Sequence, residues 1–103
     1  MSDCIFCKIA AGELPVPKVY DDGAVLAFPD IKPQAPTHLL IIPHQHIPTL
    51  NDVQAADAAL VGNMHLAAQR IAHEQGFAAD GYRLITNCNR AAGQEVFHIH
   101  IHL

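Results

Sequence analysis

Three histidines, His98, His100 and His102, alternate with Phe97, Ile99, Ile101 and Leu103 at the end of the 103-residue sequence. An extended strand rises ~3.3 Å per residue and turns successive side chains to opposite faces, so the three rings share one face, neighbours ~6.5 Å apart. Val96 joins that face, and the apolar residues on the other anchor it in a core. A row of imidazoles can bind a metal, form a structural polar network, or do nucleophilic and acid–base chemistry. One straight strand spreads three rings too far apart to share an ion comfortably. Unpaired polar rings on a buried face are costly and nothing in a core needs three. Catalysis is favoured: a neutral imidazole attacks near pH 7 and its neighbour supplies the proton that a leaving group requires. Adjacent rings disfavour one another's charged forms, which makes His100, flanked on both sides, the candidate nucleophile. Just upstream, Ala91-Ala92-Gly93-Gln94 is a turn of small residues. Its backbone N–H groups and the Gln94 amide are potential donors to phosphate oxygens, which points to phosphorus as the target.

A second group lies at the other end. Cys4-x-x-Cys7 is half of a tetrahedral zinc site by spacing, and two thiolates cannot close it. The nearest further donors are His44 and His46, just after a predicted strand, and His98. Cys88 has no partner by spacing and reads as a buried thiol, while His65 and His73 are expected on an exposed helix surface. Three cysteines, an odd number, argue against a disulfide framework and for reduced thiols.

The elements that must position these groups follow from turn chemistry and periodicity. Residues 5–11 predict a short helix stopped by Gly12, with Pro15 and Pro17 preventing continuation. Asp21-Asp22-Gly23 between Lys18-Val19-Tyr20 and Ala24 to Phe28 predicts a hairpin. Pro29, Pro33 and Pro36 make a loop, and His38 to Ile42 a third strand ended by Pro43. Leu60, Met64, Ala67, Ala68 and Ile71 recur at helical spacing within a long helix expected over 52–75, capped by Asn51 or Asp52 and stopped by Gly76. Tyr82 to Asn87 and Glu95 to Leu103 predict the last two strands. The sum is an α+β domain: a five-stranded, mostly antiparallel sheet, one long helix and one short N-terminal helix.

Length and composition bound the rest. Residues 1–103 suit one domain with one core, and 50% hydrophobic against 16% charged residues favours a compact globule. A formal charge of -4 with no Lys/Arg run argues against binding a nucleic-acid backbone. The apolar runs are too short to span a bilayer, and Met1-Ser2-Asp3-Cys4 lacks the features of a signal peptide, so a cytoplasmic, membrane-free protein is expected.

The segment Gly93-Gln94-Glu95-Val96-Phe97-His98-Ile99-His100-Ile101-His102-Leu103 resembles the signature of the histidine triad (HIT) superfamily, specifically its Hint branch of nucleotide hydrolases. The likeness extends through Cys4-Ile5-Phe6-Cys7-Lys8-Ile9, Gly12-Glu13-Leu14-Pro15, Ala27-Phe28-Pro29-Asp30-Ile31, Pro33-Gln34-Ala35-Pro36-Thr37-His38 and Ile41-Ile42-Pro43. It implies the HIT fold, a two-fold homodimer, and hydrolysis of purine nucleoside phosphoramidates or related nucleotidyl compounds through a nucleotidyl-histidine. On the matching positions it implies His100 as the nucleophile, His102 and His38 as imidazoles along the phosphate, and His98 as the supporting member of the row. Asn87, Gly93 and Gln94 match contacts to phosphate or ribose, and Asp30 the carboxylate on the ribose hydroxyls. Phe6, Leu14, Phe28, Ile31 and Leu40 match apolar positions around the base.

Two departures stand out. Glu95 occupies a position where many relatives carry a hydroxyl residue. Relatives also continue with glycines and a C-terminal tail beyond the position of Leu103, which can approach the partner's active site. Some bacterial members hold zinc with two cysteines and two histidines, which implies Cys4, Cys7, His46 and His98 as a structural site; catalysis itself requires no cofactor. The alternatives to a phosphoramidate hydrolase are a dinucleoside polyphosphate hydrolase and a nucleotide-binding regulatory module with an idle triad. A nucleotidyltransferase is disfavoured because the transferase branch carries Gln where this chain has His102.

Overall fold

A computed structural model describes residues 4–33 and 35–103; Met1 to Asp3, and Gln34 within the family-like Pro33 to His38 segment, lie outside the described residues. The sheet is antiparallel with strands in chain order: β1 (Tyr20–Asp21), β2 (Val25–Pro29), β3 (Leu39–Pro43) and β4 (Ile101–His102). The first hairpin forms where Asp-Gly predicts it. Tyr20 pairs with Ala27 and Asp21 with Leu26, and Gly23 turns at φ 89°, a left-handed conformation that costs glycine nothing. The Asp22 carboxylate takes the N–H groups of Ala24 and Val25 at 2.9 and 2.8 Å, satisfying backbone donors that the turn withdraws from the ladder.

Residue parity sorts the sheet into two faces. Val25, Ala27, Leu39, Ile41, Ile101 and Leu103 pack against the long helix α2 (Ala58–Glu74) through Met64, Ala67, Ala68 and Ile71. Leu26, Phe28, Leu40 and Ile42 pack on the opposite face against Phe6 and Ile9 of α1 (Ile5–Ala10). Both faces are covered, so the inner strands are buried almost throughout, and β2 and β3 read as continuous apolar runs rather than alternating ones. The register of Leu40 with His102 and Ile41 with Ile101 then puts His102 on the α1 side and Ile101 on the α2 side.

Two predicted elements form differently. The long helix begins at Ala58 rather than near Asp52, because Asp52 and Asp57 each close a separate short turn: Asp52 accepts the Thr49 N–H and hydroxyl, and Asp57 the Gln54 N–H. Its end agrees with Gly76, whose φ is 84°. The expected strand at Tyr82 to Asn87 contributes a single antiparallel bridge, Ile85 with His102, closed by backbone bonds of 3.0 and 2.8 Å. Pairing does not extend because the chain before His100 has left the ladder, with the Ile99 N–H donated to the Ile47 carbonyl at 2.7 Å. The last strand is correspondingly only Ile101–His102, and among the described residues the sheet has four strands with Ile85 at its edge rather than five.

The β1–β2 turn makes stability depend on acid. The Gly23 N–H, then the His44 and Lys18 side chains, hold the Asp21 carboxyl down from 3.8 to about 2, and Asp22 is lowered by the Val25 and Ala24 N–H groups. Depressed folded-state values mean that this stabilisation is complete above the unfolded pKa and lost as pH falls from 3.8 through about 2. Asp22→Ala should lower stability at pH 7 by about 1 kcal/mol, discounted for the exposure of the turn, and flatten the acid limb of a pH series of urea melts.

Candidate active site

His98 is fully buried, with its Nε2–H donated to the Pro43 carbonyl at 2.8 Å. That bond leaves the Nδ1 lone pair facing Cys4 Sγ at 3.4 Å, Cys7 Sγ at 3.6 Å and His46 Nδ1 at 3.3 Å, while His46 Nδ1 lies 3.2 Å from Cys7 Sγ. All four ligand atoms fall within 4.8 Å of one another. A tetrahedral zinc with nitrogens at ~2.05 Å and sulfurs at ~2.3 Å has N–N edges of ~3.3 Å and N–S edges of ~3.6 Å, so the cluster fits the ion. Cys4 is also the N-cap of α1, its sulfur accepting the Cys7 N–H at 3.4 Å. Burial pushes the Cys4 thiol up and His98 down to about 4, disfavouring the thiolate and the imidazolium alike. His44, the other histidine near this cluster by sequence, pairs instead with Asp21 at 2.9 Å.

His98 also positions its successor. The His98 carbonyl accepts the Nδ1–H of His100 at 2.8 Å, which fixes the tautomer of His100 and leaves its Nε2 with a lone pair. Burial pushes His100 down, so the lone pair is not consumed by protonation near neutral pH. Phe6 meets the His100 ring edge-on with centroids 5.1 Å apart and an interplanar angle of 89°. His102 follows at a centroid distance of 5.0 Å, and its Nδ1 lies 3.0 Å from His38 Nε2. The Asp30 Oδ2 stands 3.4 Å from the same His38 nitrogen. Burial, then the nearby His100 and His38 rings, lower His102 as well.

These rings wall a cavity of about 480 Å³. Asp30, His38, His100 and His102 form its polar side; Phe6, Leu14, Phe28 and Leu40 form its apolar side, with Ile31, 86% exposed, at the rim. Gly93 and Glu95 complete the edge near the histidines. Val16 and Lys32 also line the cavity, and neither stands in a sequence pattern that marked it. Asn87, Gln94 and His98 do not line it. The Asn87 amide donates to the Ala92 carbonyl at 2.7 Å.

The expectation that the Gly93-Gln94 turn aims donors at phosphate is not what the free chain displays. Gln94 is buried, its NH₂ donating to the carbonyls of Pro48 and Val96 and its carbonyl accepting the Asn89 N–H at 2.7 Å. The N–H groups of Ala92, Gly93 and Gln94 are taken by the carbonyls of Asn89 and Arg90 within a 3₁₀ turn. Asn89, at φ 68°, and Gly93, at φ 87°, bend the chain so that this closure is possible. Gln94 is thus a brace that fixes the entry to the histidine row.

Comparison with known proteins places the geometry. A family model described as "Scavenger mRNA decapping enzyme C-term binding" matches residues 3–103. Purine nucleoside phosphoramidase of Escherichia coli strain K12 is 55% identical over 101 residues, covering 98% of this chain and 85% of that protein. The chain belongs to the histidine triad superfamily. Within it the HIT family hydrolase of Legionella pneumophila superposes with a TM-score of 0.95 at 53% identity, covering 97% of this chain and 89% of that one. A histidine triad protein from Clostridium difficile gives a TM-score of 0.96 at 47% identity, with 99% and 89% covered. The HIT fold and the bacterial Hint-like branch expected from the motifs are therefore shown, and with them a hydrolase.

In this HIT domain the brace at Gln94 can be separated from chemistry by stability. Gln94→Ala strands the Pro48 and Val96 carbonyls and the Asn89 N–H, and should destabilise by about 1–3 kcal/mol. Urea unfolding monitored by circular dichroism checks it; an unchanged midpoint would mean that the three partners find water instead.

Proposed function

We propose that this histidine triad hydrolase cleaves the P–N bond of purine nucleoside phosphoramidates, releasing a nucleoside monophosphate by double displacement at His100. The observation that carries it is the 2.8 Å bond from His100 Nδ1 to the His98 carbonyl, which leaves an unprotonated Nε2 beside a cavity of nucleotide size. Attack by that nitrogen on the α-phosphorus forms an N–P bond and makes the ring cationic, and the carbonyl dipole on Nδ1–H favours the charge. As the P–N bond breaks, the amine nitrogen keeps the electron pair and takes a proton from the hydrogen-bonded His38–His102 pair, which enters the step carrying one proton more than two neutral rings and leaves it neutral. Water then attacks phosphorus, loses its proton to the same pair, and displaces His100 as the neutral imidazole.

Binding follows the cavity's two sides. The apolar walls from Phe6, Leu14, Phe28, Ile31 and Leu40 accept a flat base, and Asp30 is the hydrogen-bond acceptor for ribose hydroxyls. Gly93 lies along the phosphate, and Asn87 and Gln94 hold the turn that carries it. Glu95, a carboxylate at the phosphate end, biases the site towards substrates whose leaving group is cationic or neutral. The phosphoramidase name of the E. coli relative supports a purine substrate. A homodimer, on the resemblance alone, and a cytoplasmic setting belong to the same reading.

The same proposal includes one structural zinc on Cys4, Cys7, His46 and His98, supported by the tetrahedral edge lengths. When bound, it neutralises the thiolates and fastens α1 to the His98 ring. His98 orients His100 through its backbone carbonyl.

His100→Ala should lower turnover of an adenosine phosphoramidate at least about 1,000-fold while leaving AMP binding largely intact, and a near-normal rate refutes the assignment. Running a diadenosine polyphosphate alongside decides the substrate class: the phosphoramidate is expected to be the one turned over. Elemental analysis of protein purified without added metal should find about one zinc per chain, and less than about a tenth sinks that part.

A further inference from the structure

Asp30, His38 and His102 lie on the opposite side of the histidine row from the cysteines, and they contain no thiolate. We propose that these three side chains form a second, open cation site that takes a borderline divalent first-row ion such as Zn²⁺ or Co²⁺. His38 Nε2 is 3.0 Å from His102 Nδ1 and 3.4 Å from Asp30 Oδ2, and one ligand atom from each residue lies within 4.8 Å of the others. Nitrogen and oxygen ligands at ~2.0–2.2 Å from a tetrahedral ion are ~3.3–3.6 Å apart, so two of the three edges are close to the length an ion requires.

The site is built rather than incidental. The side chains of His38 and Asp30 are only 10% and 16% exposed. Asp30 Oδ1 is fixed by the Lys32 N–H at 2.9 Å, which turns Oδ2 towards the rings in the manner of an outer-shell bond that orients a metal ligand. His102 is held from both sides by the ladder to Leu40 and the bridge to Ile85, and His38 sits where the chain enters β3. Two imidazoles and one carboxylate on one side, with a cavity on the other, make a donor set with open positions, unlike the closed four-ligand cysteine cluster.

The ion's place is also the place of the substrate. On the function proposed above, ribose needs Asp30 and the leaving amine needs the His38–His102 pair, so a bound divalent ion and a nucleotide exclude one another. The ion is then an inhibitor competitive with nucleotide, relieved by a chelator.

The test is a Co²⁺ titration of the protein as purified, followed by visible absorption and by calorimetry, with zinc content measured in parallel. One equivalent should bind with weak d–d bands and no thiolate-to-cobalt charge transfer. Asp30→Asn, near-isosteric, and His38→Asn should each weaken that binding more than about 100-fold, beyond the ~10–100-fold that loss of an outer-shell partner costs, with zinc content unchanged. His44→Asn, at the surface pair with Asp21, should leave it intact. Failure to bind, charge-transfer bands, or binding that survives both substitutions overturns the site. Added AMP should displace the ion; if it does not, while the substitutions still abolish binding, the cation site stands and Asp30 and His38 leave the nucleotide reading.

Discussion

The fully buried His98 is the constraint on which both halves of the site depend. Donating Nε2–H to the Pro43 carbonyl commits its tautomer, and everything else about the residue follows from that commitment. Its Nδ1 must then face Cys4, Cys7 and His46, and its backbone carbonyl must face His100. A residue with any other side chain could supply the carbonyl, but not also the ring that ties the end of β3 and the cap of α1 to His100. A neutral ring is required throughout, and burial supplies it by holding His98 at about 4.

The sheet allows this because it is apolar on both faces and places opposite demands on alternate residues. Ile101 and Leu103 are fully engaged by α2, so the histidines between and before them have no freedom to rotate into that core. A one-residue slip of β4 would exchange the two sets and bury imidazoles under Met64 and Ile71. Helix α1, only six residues long, is too short to be stable on its own propensity. It is kept by Phe6 and Ile9 in the second core and by the Cys4 cap, and the edge-on contact of Phe6 with His100 transmits that placement to the His100 ring.

Legibility in the sequence tracked whether a residue's role was local. The Asp-Gly hairpin and the Gly76 stop are short-range patterns, and each has its expected form, whereas of the alternating histidine row only Ile101–His102 pairs as a strand and Phe97 is exposed rather than in the core. The start of α2 was obscured because Asp52 and Asp57 look alike as caps, and only the partners of their carboxylates distinguish a separate turn from a helix start. Tyr82 to Asn87 has strand composition but one bridge, since whether a strand extends depends on its neighbour's path at Ile99 and not on its own residues. Gln94 was the largest difference. A glutamine after glycine suggests a donor for a ligand, and nothing nearby in sequence reveals that the Pro48 carbonyl, 46 residues away, claims its amide. Of the Cys4, Cys7, His46 and His98 cluster, the spacing of the cysteines was legible, whereas choosing His46 over His44 needed the resemblance, and the structure separates them through the bond of His44 to Asp21.

Packing this many imidazoles together is tolerable only if their hydrogen bonds are divided without conflict. Desolvation disfavours the charged form of His98, His100 and His102 alike, and neighbouring rings add to it for His98 and His102. A neutral imidazole brings one donor and one acceptor, and the main chain accepts the donors: Pro43 takes the proton of His98, and His98 takes that of His100. Among the described residues no buried side-chain nitrogen or oxygen is left without a partner. The result is directional. Each carbonyl claims one side of a ring and forces the lone pair to the other side, so His98 presents its lone pair to the cysteines and His100 to the cavity. His102 differs in that its Nδ1 meets another imidazole instead of a carbonyl. That nitrogen pair lets a proton pass between the two rings along the 3.0 Å contact itself.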